Sequence, residues 1–182
     1  MAEIHVTGLA ELQKFLDELS PKIERNILRG ALRAGANVIK ATAKANCPIG
    51  PPNKENAKLY GGYEGSLQAS IRVGTRAKGG KVTAYVKAGG KNGGKADAYY
   101  AHMVEWGTRP HVISAKPGHM LAFGGGFLHS VDHPGTKPHP FMRPALDTQA
   151  ANAVVAAAEY MKARLATKEG LDTADIEIGV EV

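Results

Sequence analysis

Between residues 21 and 46 the apolar side chains recur on the step of an α-helix, in two adjacent stripes. Ile23, Ile27, Ala31, Ala34, Val38, Ala41 and Ala45 advance by four, four, three, four, three and four residues, which keeps them on one helical face. Leu28, Leu32, Gly35 and Ile39 form a second stripe beside the first. A helix that is apolar on two sides must be buried on more than one side. The small residues in both stripes let a sheet or another helix approach closely. Pro21 suits the first turn, where its missing N–H costs nothing. Asn46, Cys47 and Pro48 end the run.

The remaining segments follow from the same periodicities. Leu9, Leu12, Phe15, Leu16 and Leu19 predict a helix over 8–19, with Thr7 as its N-cap. A third long helix is predicted at Met142–Lys168, with Leu146, Ala150, Val154, Ala157, Met161 and Leu165 on one face. A short turn or helix and then a strand are predicted within 64–75, with further strands at Val82–Val86 across a RAKGGK turn, and at His111–Ser114, Met120–Phe123 and Phe127–Val131. A short helix is expected over 98–106. The strands are not interleaved with helices, so the chain reads as α+β. The expected architecture is two N-terminal helices, a mainly antiparallel sheet of about four to six strands, and a long C-terminal helix packed on it. One domain is expected over 1–170, with loops at 48–63 and 88–96. Residues 171–182 read as an acidic tail or an added strand, on this chain or a neighbour's, because Ile176, Ile178, Val180 and Val182 alternate with Glu177, Gly179 and Glu181.

Charge and cysteine content narrow the function. The net charge is +6, and the tail holds Asp172, Asp175, Glu177 and Glu181 with no Lys or Arg, so the body is more basic than the total suggests. A basic body favours nucleic acid or an acidic protein surface. Cys47 is the single cysteine, which rules out a disulfide within the chain and fits a reducing compartment. Its place at a helix end before Pro48 reads as a small buried filler rather than a nucleophile. No signal peptide is expected from MAEIHVTG, and AANAVVAAA is too short and alanine-rich to cross a bilayer, so no membrane role is expected.

Catalytic motifs fail on inspection. Gly89, Gly94 and Lys95 match the start of a phosphate loop, but Ala96 stands where the motif needs a hydroxyl for Mg²⁺. Five histidines fall between 111 and 139, yet no helical ligand pair and no Cys–His set occurs. No catalytic residue, metal site or cofactor is assigned. Lys78, Lys81, Lys87, Lys91 and Lys95 share one hairpin and the loop after it. They are candidates for nonspecific contact with nucleic-acid phosphates, with only Tyr85 interleaved for stacking.

Three further segments stand in order: GSLQASIRV at 65–73, YYAHMVEWGTRPHVI at 99–113, and HPGTKPHPFMRPALD at 133–147. Gly65, Leu67, Ser70 and Ile71 carry a G-x-L-x-x-S-I pattern. Tyr100, Val104, Glu105, Gly107 and Thr108 carry Y-x-x-x-V-E-x-G-T, and Pro140, Phe141, Pro144 and Ala145 carry P-F-x-x-P-A. With these motifs between helical ends, the chain resembles the neck, or tail-completion, family of long-tailed bacteriophages, the head–tail joining family typified by the tenth gene product of phage Hong Kong ninety-seven. The 48–63 loop, the 88–96 segment and the acidic tail depart from that family's pattern.

The resemblance implies a non-enzymatic virion part that forms a homo-oligomeric ring, expected to be six-fold, between head-completion (stopper) and tail-terminator proteins. DNA would pass nonspecifically through the lumen. The protein would reside in the virion neck, and in the host cytoplasm during assembly. Interface or turn anchors would be Tyr100, Glu105, Trp106, Gly107, Thr108, Arg109, His133, Pro134, Gly135, Phe141 and Pro144. Glu105 and Arg109 read as an ion pair or subunit contact. Gly107 would free a tight turn onto which Thr108 bonds back. Trp106 serves either as an interface anchor or as a core filler. Phe141 would plug the core where the last helix begins, with Pro144 in its first turn. Two other readings stay open: a basic nucleic-acid-binding module outside a virion, and a metal-dependent hydrolase using the His-rich 102–139 region.

Overall fold

The computed structural model describes residues 5–6, 8–17, 19–50, 65–90, 98–123, 126–168, 173 and 176–181. Two long helices carry the fold, α2 at Pro21–Asn46 and α5 at Met142–Lys168. The shorter elements are β1 at His5–Val6, α1 at Leu9–Asp17, α3 at Ser66–Ser70, β2 at Arg72–Lys78 and β3 at Lys81–Lys87. Then come α4 at Ala101–Trp106, β4 at His111–Ser114, β5 at Leu121–Phe123, β6 at Gly126–Leu128, β7 at Ser130–His133 and β8 at Val180–Glu181. The class is α+β. The bounds of α2 follow its punctuation: Pro21 opens it, and Cys47 takes an extended conformation (φ −69°, ψ 124°) because a following proline disfavours the helical one. Thr7, the expected cap of α1, lies outside the described residues.

The most extensive packing joins α2 to α5, and a small cluster closes each end of this pair. At one end Ala43 of α2 and Cys47 just after it meet Leu67, Ile71, Ala98, Ala101, Phe141 and Ala145. At the other, Ile27 of α2 meets Leu12 and Leu16 of α1, Ala158 and Leu165 of α5, and Ile176 of the tail. The beginning of α2 thus lies near the end of α5, so the helices run antiparallel. Midway, Gly35 is buried against α5, where a Cβ would sit 2.4 Å from the Ala153 carbonyl oxygen. The small residues seen in the sequence allow this close crossing.

The strands form four two-stranded antiparallel sheets among the described residues, β1–β8, β2–β3, β4–β7 and β5–β6, instead of the single sheet of four to six strands expected. For β2–β3 and β5–β6 local pairing explains the difference, because strands joined by short turns close small loops at less entropic cost than aligning distant edges; β1–β8 instead joins elements far apart in the chain. The β2–β3 hairpin lies against α2, with Val82, Ala84 and Val86 less exposed than the residues between them. The strand expected over 127–131 is split, with His129 between β6 and β7. The Ala115 N–H donates to the His129 carbonyl at 2.8 Å, which keeps the β4–β7 and β5–β6 pairs in one projecting ribbon. The tail folds back on its own chain, where β8 pairs with β1 and the Lys162 ammonium donates to the Ile176 carbonyl. No helix among the described residues is long and apolar enough to cross a membrane.

Replacing Gly35 by Ala tests the crossing. Helix propensity alone would favour Ala by up to about 1 kcal/mol. The clash with a backbone oxygen should outweigh this and destabilise the chain by about 1–3 kcal/mol. Urea unfolding reads the difference. Gly30→Ala should cost less, because the atoms its Cβ would meet belong to the end of the Tyr160 side chain.

Candidate assembly surface

The N-terminus of α5 is held by one carboxylate. Glu105, the fifth residue of α4, is 8% exposed and accepts three backbone hydrogen bonds. The Phe141 and Met142 N–H groups donate to Oε2 at 2.8 and 2.9 Å, and the Arg143 N–H donates to Oε1 at 3.0 Å. The next residue is Pro144, which has no N–H to satisfy. The free donors of this helix start are therefore fully paired, and the negative charge lies at the positive end of the helix dipole. Burial works against ionisation of Glu105. The hydrogen bonds from Met142, Phe141 and Arg143 and the Arg143 charge outweigh it and hold the carboxyl below its usual range. Glu105 therefore serves the helix end and not Arg109, which corrects the expected ion pair.

The two glycine turns flanking this contact are bridged to each other. Thr108 and Thr136 form an antiparallel bridge, with N–H···O distances of 3.0 and 3.2 Å. Their hydroxyls lie 2.9 Å apart, and the Thr136 N–H also reaches the Thr108 hydroxyl at 3.0 Å. Thr108 thus bonds across to the 133–147 segment rather than back onto its own turn. Gly107 has φ +72°, and a Cβ there would meet the Thr136 carbonyl oxygen at 2.5 Å. Gly135 has φ +83°, and its Cβ would meet the Thr108 carbonyl oxygen at 2.3 Å. Both positions combine left-handed backbone with close backbone approach, and only glycine satisfies the two together. The His139 N–H donates to the Val104 carbonyl at 2.8 Å. Beyond the bridge, His111 faces His133 with ring centroids 5.0 Å apart.

This clamp stands between two open apolar surfaces. One is the β4–β7 and β5–β6 ribbon. Val112 is 60% and Phe127 71% exposed, and Ile113, Met120 and Leu128 are also exposed. The other is a groove of about 960 Å³ between the α2–α5 pair and β3. Its α5 wall includes Leu146, Ala150, Val154, Ala157 and Met161, all but Leu165 of the stripe that the sequence places on one helix face. Leu146 is nevertheless 51% exposed. At the groove's end the Arg143 guanidinium stacks on Trp106, 4.1 Å from the ring centroid. Trp106 is 66% exposed, so it does not fill the core.

Other singled-out residues fall into two groups. Phe141 is fully buried in the cluster that also receives Leu67 and Ile71, so all three motifs meet there. Tyr100 packs on that cluster and its hydroxyl lies 3.0 Å from that of Ser66. Ser70 is buried, donates to the Leu67 carbonyl and accepts from the Gly89 N–H. Arg109 and Pro134 are exposed. Lys78, Lys81 and Lys87 are exposed on the hairpin, with Lys87 over the Tyr85 ring; Lys91 and Lys95 lie outside the described residues. No group of three or more metal-ligating side chains converges among the described residues. The imidazoles make local contacts instead: His102 and His111 through Nδ1 to the Tyr99 and Arg109 carbonyls, and His133 Nδ1 to the Gly135 N–H. Cys47 is buried, which pushes its thiol up to about 11. Arg143 and the ribbon's apolar residues went unmarked in the sequence. The signal available for the ribbon was apolar residues adjacent along its strands, Val112 beside Ile113 and Phe127 beside Leu128, which alternate pleating turns to opposite faces.

The Glu105 contact predicts a pH signature. A lowered folded-state pKa contributes stability in full above the ordinary carboxylate value of about 4.3, and this is lost as pH falls through the lowered value. Glu105→Gln keeps one acceptor oxygen and should cost about 2–3 kcal/mol at pH 7. That deficit should shrink below about pH 4. Urea unfolding of both proteins across pH 3–7 reads it, and a deficit independent of pH would refute the charged cap.

Comparison with known proteins gives one family. No curated protein and no solved structure matches the chain. The family described as "Bacteriophage HK97-gp10, putative tail-component" matches residues 10–107. The match takes in α1, α2, the first motif, the hairpin and the second motif as far as Gly107. It covers more than half of the 182 residues, and the chain belongs to this HK97-gp10-like family of phage tail components.

Proposed function

We propose that this chain is a structural subunit of the head–tail connection of a long-tailed bacteriophage, a neck or tail-completion protein that acts by self-association into a ring. The supporting observation is the open stripe on α5. Its spacing is that of a buried helix face, yet Leu146 and Val154 are exposed in the single chain. An apolar surface of this extent is the usual mark of a protein–protein contact. Its neighbours in the virion would be the head-completion and tail-terminator proteins. Tyr100, Glu105, Gly107, Thr108, Gly135 and Phe141 fix the shape of the subunit, whereas Trp106 and the ribbon reach its surface.

DNA would pass through the ring, facing the exposed Lys78, Lys81 and Lys87. The contact would be with phosphates alone, since Tyr85 is engaged with Gly74 and Lys87 of its own hairpin.

Light scattering coupled to size exclusion should give a discrete multiple of the subunit mass, and negative-stain images of purified tails should show the protein at the head-proximal end. A strict monomer that is missing from virions would overturn the proposal. Replacing Lys78, Lys81 and Lys87 by Gln should weaken binding to duplex DNA at low salt. It should also flatten the slope of log K against log salt by about 0.9 for each phosphate that is no longer neutralised. Assembly should be retained, as read by the same light scattering.

A further inference from the structure

We infer that the ribbon of one subunit seats in the α2–α5–β3 groove of the next copy of this chain, an inference that rests on the self-association just proposed. The ribbon cannot be stable by its own means. A lone two-stranded antiparallel pair is marginal in water without a third strand or a helix beneath it. Here β4 and β7 pair with each other and β5 with β6, and among the described residues no helix packs extensively on either pair, α4 meeting only the His111–His133 base. Neighbouring strand residues point to opposite faces. Val112 and Ile113 are both exposed, as are Phe127 and Leu128, so both faces of the ribbon carry uncovered apolar side chains.

The groove has the matching deficit. It holds about 960 Å³ and is lined by 23 residues. A stable interface engages about 20–30 residues a side, which is the scale of the groove and of the ribbon over 111–133. The groove's lining includes Lys87, Glu105 and Arg143, but the Glu105 carboxylate serves the helix end and Arg143 lies on Trp106. The rest of the wall is largely apolar and selects an apolar occupant.

Geometry makes the occupant a second copy. No ribbon residue lines its own groove. The ribbon leaves the body at the Thr108–Thr136 bridge, whose flanking glycines leave no room for a Cβ. One chain thus carries a projecting apolar donor and a separate apolar acceptor. Such an unlike pair of faces propagates head to tail and closes when the rotation permits.

Two single-cysteine exchanges test this in the intact chain. Phe127→Cys places a thiol on the ribbon and Val154→Cys one in the groove, while native Cys47 is buried with its thiol pushed up to about 11. When the two variants are mixed and oxidised, the expected product is a disulfide-linked dimer, formed at least tenfold faster than in either variant alone. Phe127→Ser with Leu128→Ser should leave circular dichroism unchanged and raise the concentration needed for assembly at least tenfold. An assembly that forms without the mixed disulfide, and that tolerates the serine pair, overturns the ribbon-in-groove contact while leaving the ring. A strict monomer in the unmodified protein overturns the ring reading itself. Groove residues protected from solvent in a monomer would instead assign the groove to another segment of the same chain.

Discussion

Three N–H groups at the start of α5 share one carboxylate, and the rest of the structure depends on that contact. Glu105 stands 36 residues before Phe141, so its bond fixes the end of α4 against the beginning of the longest helix. Because α5 packs along α2, the contact also sets where the helix pair begins and where Phe141 enters the core. The adjoining turns inherit their separation from it. Gly107 follows Glu105 by two residues, and the Thr108–Thr136 bridge closes directly beside the contact.

The family's motifs are therefore mainly devices of the fold. Leu67, Ile71, Ala101, Phe141 and Ala145 share one cluster, and Ser70 and Glu105 satisfy backbone donors around it. These residues are far apart in the chain and adjacent in space, which gives each short motif its meaning. Surfaces able to meet another molecule lie beside the motifs: the stacked Trp106 and Arg143, the outer half of the α5 stripe, and the ribbon. Scaffold and contact are thus divided between neighbouring residues, as with buried Glu105 and exposed Trp106.

The long helices were legible because their periodicity extends over many turns and is punctuated by Pro21 and Pro48. The bounds of α2 and α5 agree with those read from the residues alone. Strand pairing was less legible. Three- and four-residue strands carry too little pattern to say whether they join one sheet or fold back in pairs. The Glu105 cap was invisible because its partners are backbone groups, which leave no mark in composition, and proximity to Arg109 suggested a different pair. The α5 stripe was found, but periodicity marks an apolar face without saying which molecule covers it. Its Leu165 end is covered by α1 and the tail, while the Leu146 and Val154 positions stay open.

Trp106 is the chain's single tryptophan, and its indole lies against a guanidinium at the mouth of the groove. Indole emission from this protein therefore has one origin, and that origin adjoins the surface where a neighbour would arrive. The molecule carries its own optical probe. A change in colour or quenching on mixing subunits would register events at that mouth, free of signal from the interior, without any label being added.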